Sequence, residues 1–251
     1  MRASLHRMNP SVKFVIVMIC MLSLAFFFDP WTPLVFWFSI MVMQIFLSNI
    51  SWKNWSLLML PFVIAAFGYL WTTLLFAESG TGTVLWSIRS VDITESQLNH
   101  ALSLSFRVLA FSSLSLLFAL TTDPIIFIRS LMQQLKLSPK IAYGIMVGYQ
   151  FLPLLKDEFI QVQQVQKLRG LSDDSNVFKR LIGLRRVLIP MLSGAVRKAE
   201  RVAFAMEARG FTGEPRKVFY HEVPIEKKDF ILAFLFICVL LISCSTSMWL
   251  P

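Results

Sequence analysis

Two short stretches set an arginine beside a glycine at the end of an amphipathic pattern: Lys167-Leu168-Arg169-Gly170 and Glu207-Ala208-Arg209-Gly210. A guanidinium is a planar fork of five donors that suits carboxylates and backbone carbonyls of another molecule. Either stretch alone is an ordinary helix end, with glycine taking the left-handed conformation and a base favouring the negative end of the dipole. The repeat, with the two arginines forty residues apart, turns them into two protruding charged tips. Other chemistry finds little support. No Gly-x-x-x-x-Gly-Lys-Ser/Thr phosphate loop is present, and the nearest glycine cluster, Gly80-Thr81-Gly82, lacks the lysine. Gly-x-Ser-x-Gly and His-Glu-x-x-His are also missing. His6, His100 and His221 lie far apart, and Cys20, Cys238 and Cys244 sit in apolar segments without zinc or redox spacing. A hydrolase or transferase would need convergent titratable groups. An ion-coupled carrier would need a relay of Asp, Glu or His in its spans.

The elements that must position the tips follow from composition. Of 251 residues, 56% are hydrophobic and only 16% charged, with a mean hydropathy of +0.64; a soluble domain carries about 25% charged residues. The net charge is +9, and the stretch 156–217, with 13 basic and 7 acidic residues, holds most of it. Basic residues beside membrane spans are expected on the cytoplasmic face, so the charge does not imply nucleic acid. Five stretches approach the roughly 20 apolar residues of a span: Val12–Phe28, Trp31–Leu47, Trp55–Ala77, Ala101–Leu120 and Phe230–Trp249. Arg2, Arg7 and Lys13 flank the first and Lys53 lies between the second and third. The loop Ser79–Asn99 carries Arg89 against Asp92 and Glu95. These signs put the N-terminus and everything from Asp123 to Lys228 in the cytoplasm and the C-terminus outside. The N-terminus mimics a signal peptide but is read as a retained span, since no small-x-small site follows it.

Within the fourth span, Ser103, Ser105, Ser112, Ser113 and Ser115 favour close helix packing. Arg107 is expected to snorkel to the outer interface, two turns away, or to contact a partner helix or a solute path. The second option defines an alternative function, a stand-alone permease binding its own small solute through span four.

Between spans four and five, Thr121-Thr122-Asp123-Pro124 and Ser138-Pro139 are helix starts. The helix from Pro139 runs to Gly170, apolar all round as far as Leu155 and then amphipathic, with Leu155, Phe159, Val162 and Val165 or Gln166 on one stripe. After a polar link and a helical stretch Phe178–Ile189, another helix is expected to start near Pro190 and end at Gly210. Its stripe is Leu192, Ala195, Val196, Ala199, Val202, Ala203 and Met206, whose alanines admit a crossing helix.

On these residues the chain resembles the transmembrane T component of energy-coupling factor transporters, the family that includes the cobalt and nickel permeases. The matching pieces are Asn9-Pro10-Ser11-Val12-Lys13, Thr121-Thr122-Asp123-Pro124, Gly148–Leu155 with Glu158, the Lys167–Gly170 tip and Ala205–Phe211. It departs at Tyr149, where the family often has Arg, and at Arg216-Lys217-Val218, where it often has Arg-Thr. The resemblance implies an all-α, L-shaped membrane protein with about five transmembrane helices and about three amphipathic cytoplasmic coupling helices. Residues 1–120 would hold spans one to four, 121–228 the coupling helices and 229–251 the last span. It also implies that Arg169 and Arg209, with neighbours Leu168, Gly170, Ala208 and Gly210, dock on two ABC-type ATPases. Those partners use ATP, and this chain is neither an enzyme nor a cofactor holder. A separate membrane S component would select the cargo, a vitamin such as a thiamine precursor, or cobalt or nickel. The setting implied is a bacterial or archaeal cell membrane.

Overall fold

The computed structural model describes residues 4–27, 29–48, 51–76, 84–88, 91–169, 177–214 and 218–249. They form nine helices and one short hairpin: α1 Ser4–Arg7, α2 Pro10–Phe26, α3 Trp31–Leu47, α4 Trp52–Phe76, β1 Val84–Ile88, β2 Val91–Thr94, α5 Glu95–Thr121, α6 Pro124–Gln134, α7 Pro139–Leu168, α8 Val177–Ala208 and α9 Lys227–Trp249. The chain is an all-α membrane protein with this one hairpin added. It divides into two compact units, Met1–Ser130 with Val223–Pro251, and Leu131–Glu222.

The first unit is built from α2, α3, α4, α5 and α9. By length and apolarity α4, α5 and α9 can each cross a bilayer, over Trp52–Leu75, Ser96–Thr121 and Lys227–Thr246. The apolar helices α2 and α3 have 17 residues each, about 26 Å at 1.5 Å per residue, the short end of what spans. Each buries a single stripe. On α2 it is Ile16, Val17, Cys20 and Leu24; on α3 Phe36, Ile40 and Met43; on α5 Ala110, Leu114 and Leu117; on α9 Leu232 and Phe236. These stripes meet in one core, while apolar side chains such as Phe26, Phe38 and Ile64 are exposed, as lipid-facing surfaces are. Helix α4 packs mainly against α5 and buries Trp55, Met59 and Ala66. There Ser105 Oγ donates to the Ala66 carbonyl at 3.1 Å and Ser113 is fully buried beside Met59. The serines of this span therefore serve close helix packing.

The hairpin was not foreseen. Val84-Leu85-Trp86-Ser87-Ile88 and Val91-Asp92-Ile93-Thr94 pair antiparallel, and their aromatic and β-branched residues suit a pleated surface. Thr94 then opens α5 with a capping box, its N–H donating to Gln97 Oε1 at 3.1 Å, so α5 begins six residues before the expected span. Arg89 and the Gly80–Gly82 cluster lie outside the described residues.

Lys13 differs most from its expected part. Instead of flanking the membrane it is buried, with 1% of its surface exposed. Its Nζ donates to the Leu5 carbonyl at 2.6 Å, the Thr121 carbonyl at 3.1 Å, Thr121 Oγ1 at 3.0 Å and Thr122 Oγ1 at 3.3 Å. A buried ammonium is tolerated only when its donors are satisfied and an opposite charge is near; buried Asp229 supplies that charge.

The second unit holds the end of α6, then α7, α8 and the segment 209–222. Helix α8 is continuous from Val177 to Ala208 with Pro190 inside, which corrects the expected start near Pro190. A proline frees the carbonyl four residues earlier, and at exposed Arg186 water can satisfy it. On the amphipathic half of α7 the half-buried stripe is Leu155, Phe159, Val162 and Gln166, while Val165 is exposed.

Candidate docking site

The second arginine tip is a Schellman turn built by its glycine. Gly210 adopts φ +80°, its N–H donates to the Glu207 carbonyl at 2.9 Å, and the Phe211 N–H reaches back to Met206 at 3.0 Å. A Cβ at Gly210 would meet no atom within 4 Å, so only the backbone angle demands glycine here. Ala208 and Arg209 are exposed on the tip.

The first tip ends α7. Leu168 is its last helical residue and is 88% exposed. Exposed Arg169 follows with φ −79°, its N–H donating to the Val165 carbonyl at 3.2 Å. Gly170 lies outside the described residues, as do Arg216 and Lys217. A leucine this bare beside two cations is the kind of apolar anchor that docking surfaces use.

Two contacts within the second unit fix where these tips stand, and neither was legible as a pairing. Phe211 meets Tyr143 edge to face, with ring centroids 5.3 Å apart. Tyr143 lies near the beginning of α7 and Arg169 just past its end, so the tips are on the order of 40 Å apart at 1.5 Å per residue. The second contact is where α7 and α8 cross. Lys198 Nζ donates to Glu158 Oε2 at 2.6 Å, and a Cβ on Gly194 would stand 3.0 Å from Glu158 Oε1. Gly194 admits this close approach, and the run Ser193-Gly194-Ala195 was the signal for it. From the second tip the chain folds back over α7. Gly213, at φ +73°, lets the Lys140 stem pass where a Cβ would stand, and the His221 carbonyl accepts from Gln133 Nε2 at 2.7 Å.

Helix α8 leaves Ile189, Leu192, Val196 and Phe204 exposed, and α7 leaves Ile141, Ile145 and Leu152 exposed. Arg107 turns toward the end of α2. Its guanidinium donates to the carbonyl of Phe27, just past the end of α2, where a cation complements the helix dipole. Among the described residues no group of three or more His, Cys, Asp or Glu side chains is placed to hold a metal ion.

Comparison with known proteins agrees with this architecture. The family model described as the cobalt transport protein CbiQ matches residues 1–220. A protein of Streptococcus thermophilus, the energy-coupling factor transporter transmembrane protein EcfT, is 32% identical over 150 residues, 57% of either chain. Proteins of the same description from Streptococcus equi and Limosilactobacillus fermentum are 26% and 28% identical. Those matches cover 94% and 90% of this chain and 89% and 87% of the relatives.

Proposed function

This chain belongs to the CbiQ family, to which the transmembrane components of energy-coupling factor transporters belong, and from that premise we propose that it couples partner ATPases to a substrate-binding membrane subunit. The relatives are named as transmembrane transporter components, and no phosphate-binding loop stands in this sequence. ATP hydrolysis therefore falls to partners of the ABC type.

The observation that carries the proposal is the pair of exposed arginine ends at opposite extremes of one crossed helix pair. A separation on the order of 40 Å exceeds what one groove would span, so each tip takes its own ATPase subunit or domain. Arg169, with Leu168 beside it, holds one, and Arg209 on its Schellman turn holds the other. When ATP draws the two motors together, the tips move toward each other and the crossing at Glu158, Gly194 and Lys198 turns that motion into rotation of α7 and α8. The apolar faces of these helices, at Ile141, Ile145 and Leu152 and at Leu192 and Val196, suit the membrane helices of an S component that binds the cargo. That cargo is a vitamin or related micronutrient. In this arrangement the N-terminus and both tips face the cytoplasm of a bacterial or archaeal cell.

The test is uptake into proteoliposomes holding this chain, its two ATPases and the S component. Arg169→Glu and Arg209→Glu each reduce uptake at least tenfold, and the double variant abolishes it. Uptake by the double variant at the wild-type rate would refute the proposal.

A further inference from the structure

The chain passes from the first unit to the second between Ser130 and Leu131 and returns between Glu222 and Val223. Both passages are fastened to one short stretch at the beginning of α2, and every contact lies within the first unit. On the outgoing side Lys13 Nζ binds Thr121 and Thr122 at the end of α5. About two turns along α6, Ser11 Oγ meets Ser130 Oγ at 2.7 Å, and Ser130 Oγ donates to the Phe127 carbonyl at 2.9 Å. Phe14, Phe118 and Phe127 close a ring of aromatic contacts, with centroids 5.3 to 5.9 Å apart. On the returning side Asn9 Nδ2 donates to the carbonyls of Val223 and Pro224 at 3.2 and 3.3 Å. The Asn9 N–H donates to Asp229 Oδ1 at 3.1 Å, while Asp229 Oδ2 accepts from the Glu226 N–H at 2.9 Å. Asn9, Ser11, Lys13, Ser130 and Asp229 are all buried.

We propose that Asn9, Ser11 and Lys13 form a fixed joint that grips both passages and stays closed while the segment bearing the arginine tips moves. The inference rests on the coupling reading for its motion, and on the contacts above for its existence. The physical reason is that each member is a buried polar group whose partners are in place. Opening the joint would strand the Lys13 ammonium and the Asp229 carboxylate in a dry interior, a far higher cost than flexing the exposed connections beyond it. Lys13 is thus a positioning residue. It holds the end of α5 still, so that force arriving through the long helices is delivered to the membrane helices instead of dissipating at the turn 121–124.

The experiment uses the full chain with Ser11→Cys and Ser130→Cys in a background carrying Cys20→Ala, Cys238→Ala and Cys244→Ala. Hydroxyls 2.7 Å apart place these side chains within disulfide reach. In native membranes the disulfide forms to completion; absence of cross-linking in a chain that elutes as a single species overturns the joint, whatever the chain's function. In proteoliposomes with the partner subunits, the oxidised protein imports within twofold of the reduced one. Uptake that falls below half on oxidation and returns on reduction shows a joint that must open, and overturns the proposal. A second variant, Lys13→Met, raises the ATP hydrolysed per solute imported at least tenfold while ATPase capture stays intact. An unchanged ratio contradicts the positioning role. Failure of the wild-type chain to capture ATPases is a separate result, which sinks the coupling reading and leaves the cross-link to judge the joint.

Discussion

Phe211 stands edge-on to Tyr143, their ring planes at 78°, and this one contact anchors the second arginine tip beside the beginning of α7. Such a pair contributes about 1 kcal/mol. Replacing Phe211 with alanine should loosen the turn 209–213 and leave Arg169 unaffected. Limited trypsin digestion of the detergent-purified chain checks this: cleavage after Arg209 should accelerate several-fold relative to cleavage after Arg169. Equal rates for variant and wild type would show that the contact does not restrain the tip.

The pair Glu158–Lys198 is partly exposed, its side chains at 23% and 33%, so solvent screens it and its coupling energy should be about 0.5–1 kcal/mol. A double-mutant cycle with Glu158→Gln and Lys198→Met, read by thermal unfolding in detergent, measures that energy. The functional effect should be larger than the stability effect, because the pair sits where the two levers cross. Exchanging the charges, Glu158→Lys with Lys198→Glu, should recover most of the uptake lost in either single variant.

The glycines at 210 and 194 should respond differently to alanine. Gly210→Ala meets no neighbour but must hold φ +80°, which costs about 1 kcal/mol and frays the tip; Gly210→Asn, which tolerates that angle, should retain more ATPase capture. Gly194→Ala meets Glu158 Oε1 at 3.0 Å, so its effect depends on Glu158 and should shrink in a Glu158→Ala background. Equal losses in both backgrounds would place the Gly194 effect elsewhere.

How legible these features were in the sequence depended on how local their causes are. Asp123-Pro124 and Ser138-Pro139 marked two helix starts because capping is settled within one turn. The stripe Leu155, Phe159 and Val162 was readable because period 3.6 is a property of one helix. Pro190 misled for the same reason: a start signal and a tolerated kink look alike until the exposure of Arg186 is known. Pairings across the chain were out of reach. Asn9 and Asp229 are 220 positions apart, and nothing in either neighbourhood names the other. Lys13 was counted among the charges that orient the spans, since a lysine at a helix start is ordinarily solvated. Only the arrival of Thr121 and Thr122 shows it to be enclosed. Leu168, Arg169, Ala208, Arg209 and Gly210 were named correctly as helix ends, while the distance between the tips required the Tyr143 contact.

Packing of α4 gives a fourth prediction. Ser105 Oγ donates to the carbonyls of Ala66 and Ala101 at 3.1 and 2.8 Å, where a small side chain lets α4 and α5 approach. Ser105→Leu should force the helices apart and destabilise the purified protein by about 1–3 kcal/mol. Ser105→Ala should cost about 1 kcal/mol or less. Thermal unfolding in one detergent separates the two, and a leucine variant as stable as the alanine variant would contradict the close approach.

The central claim is that each arginine tip holds its own motor subunit, and native mass spectrometry of the complex purified through this chain reads it directly. The account predicts two ATPase subunits or domains bound to the wild-type chain, one to Arg169→Glu, one to Arg209→Glu and none to the double variant. Two ATPases retained by both single variants and by the double variant would contradict it.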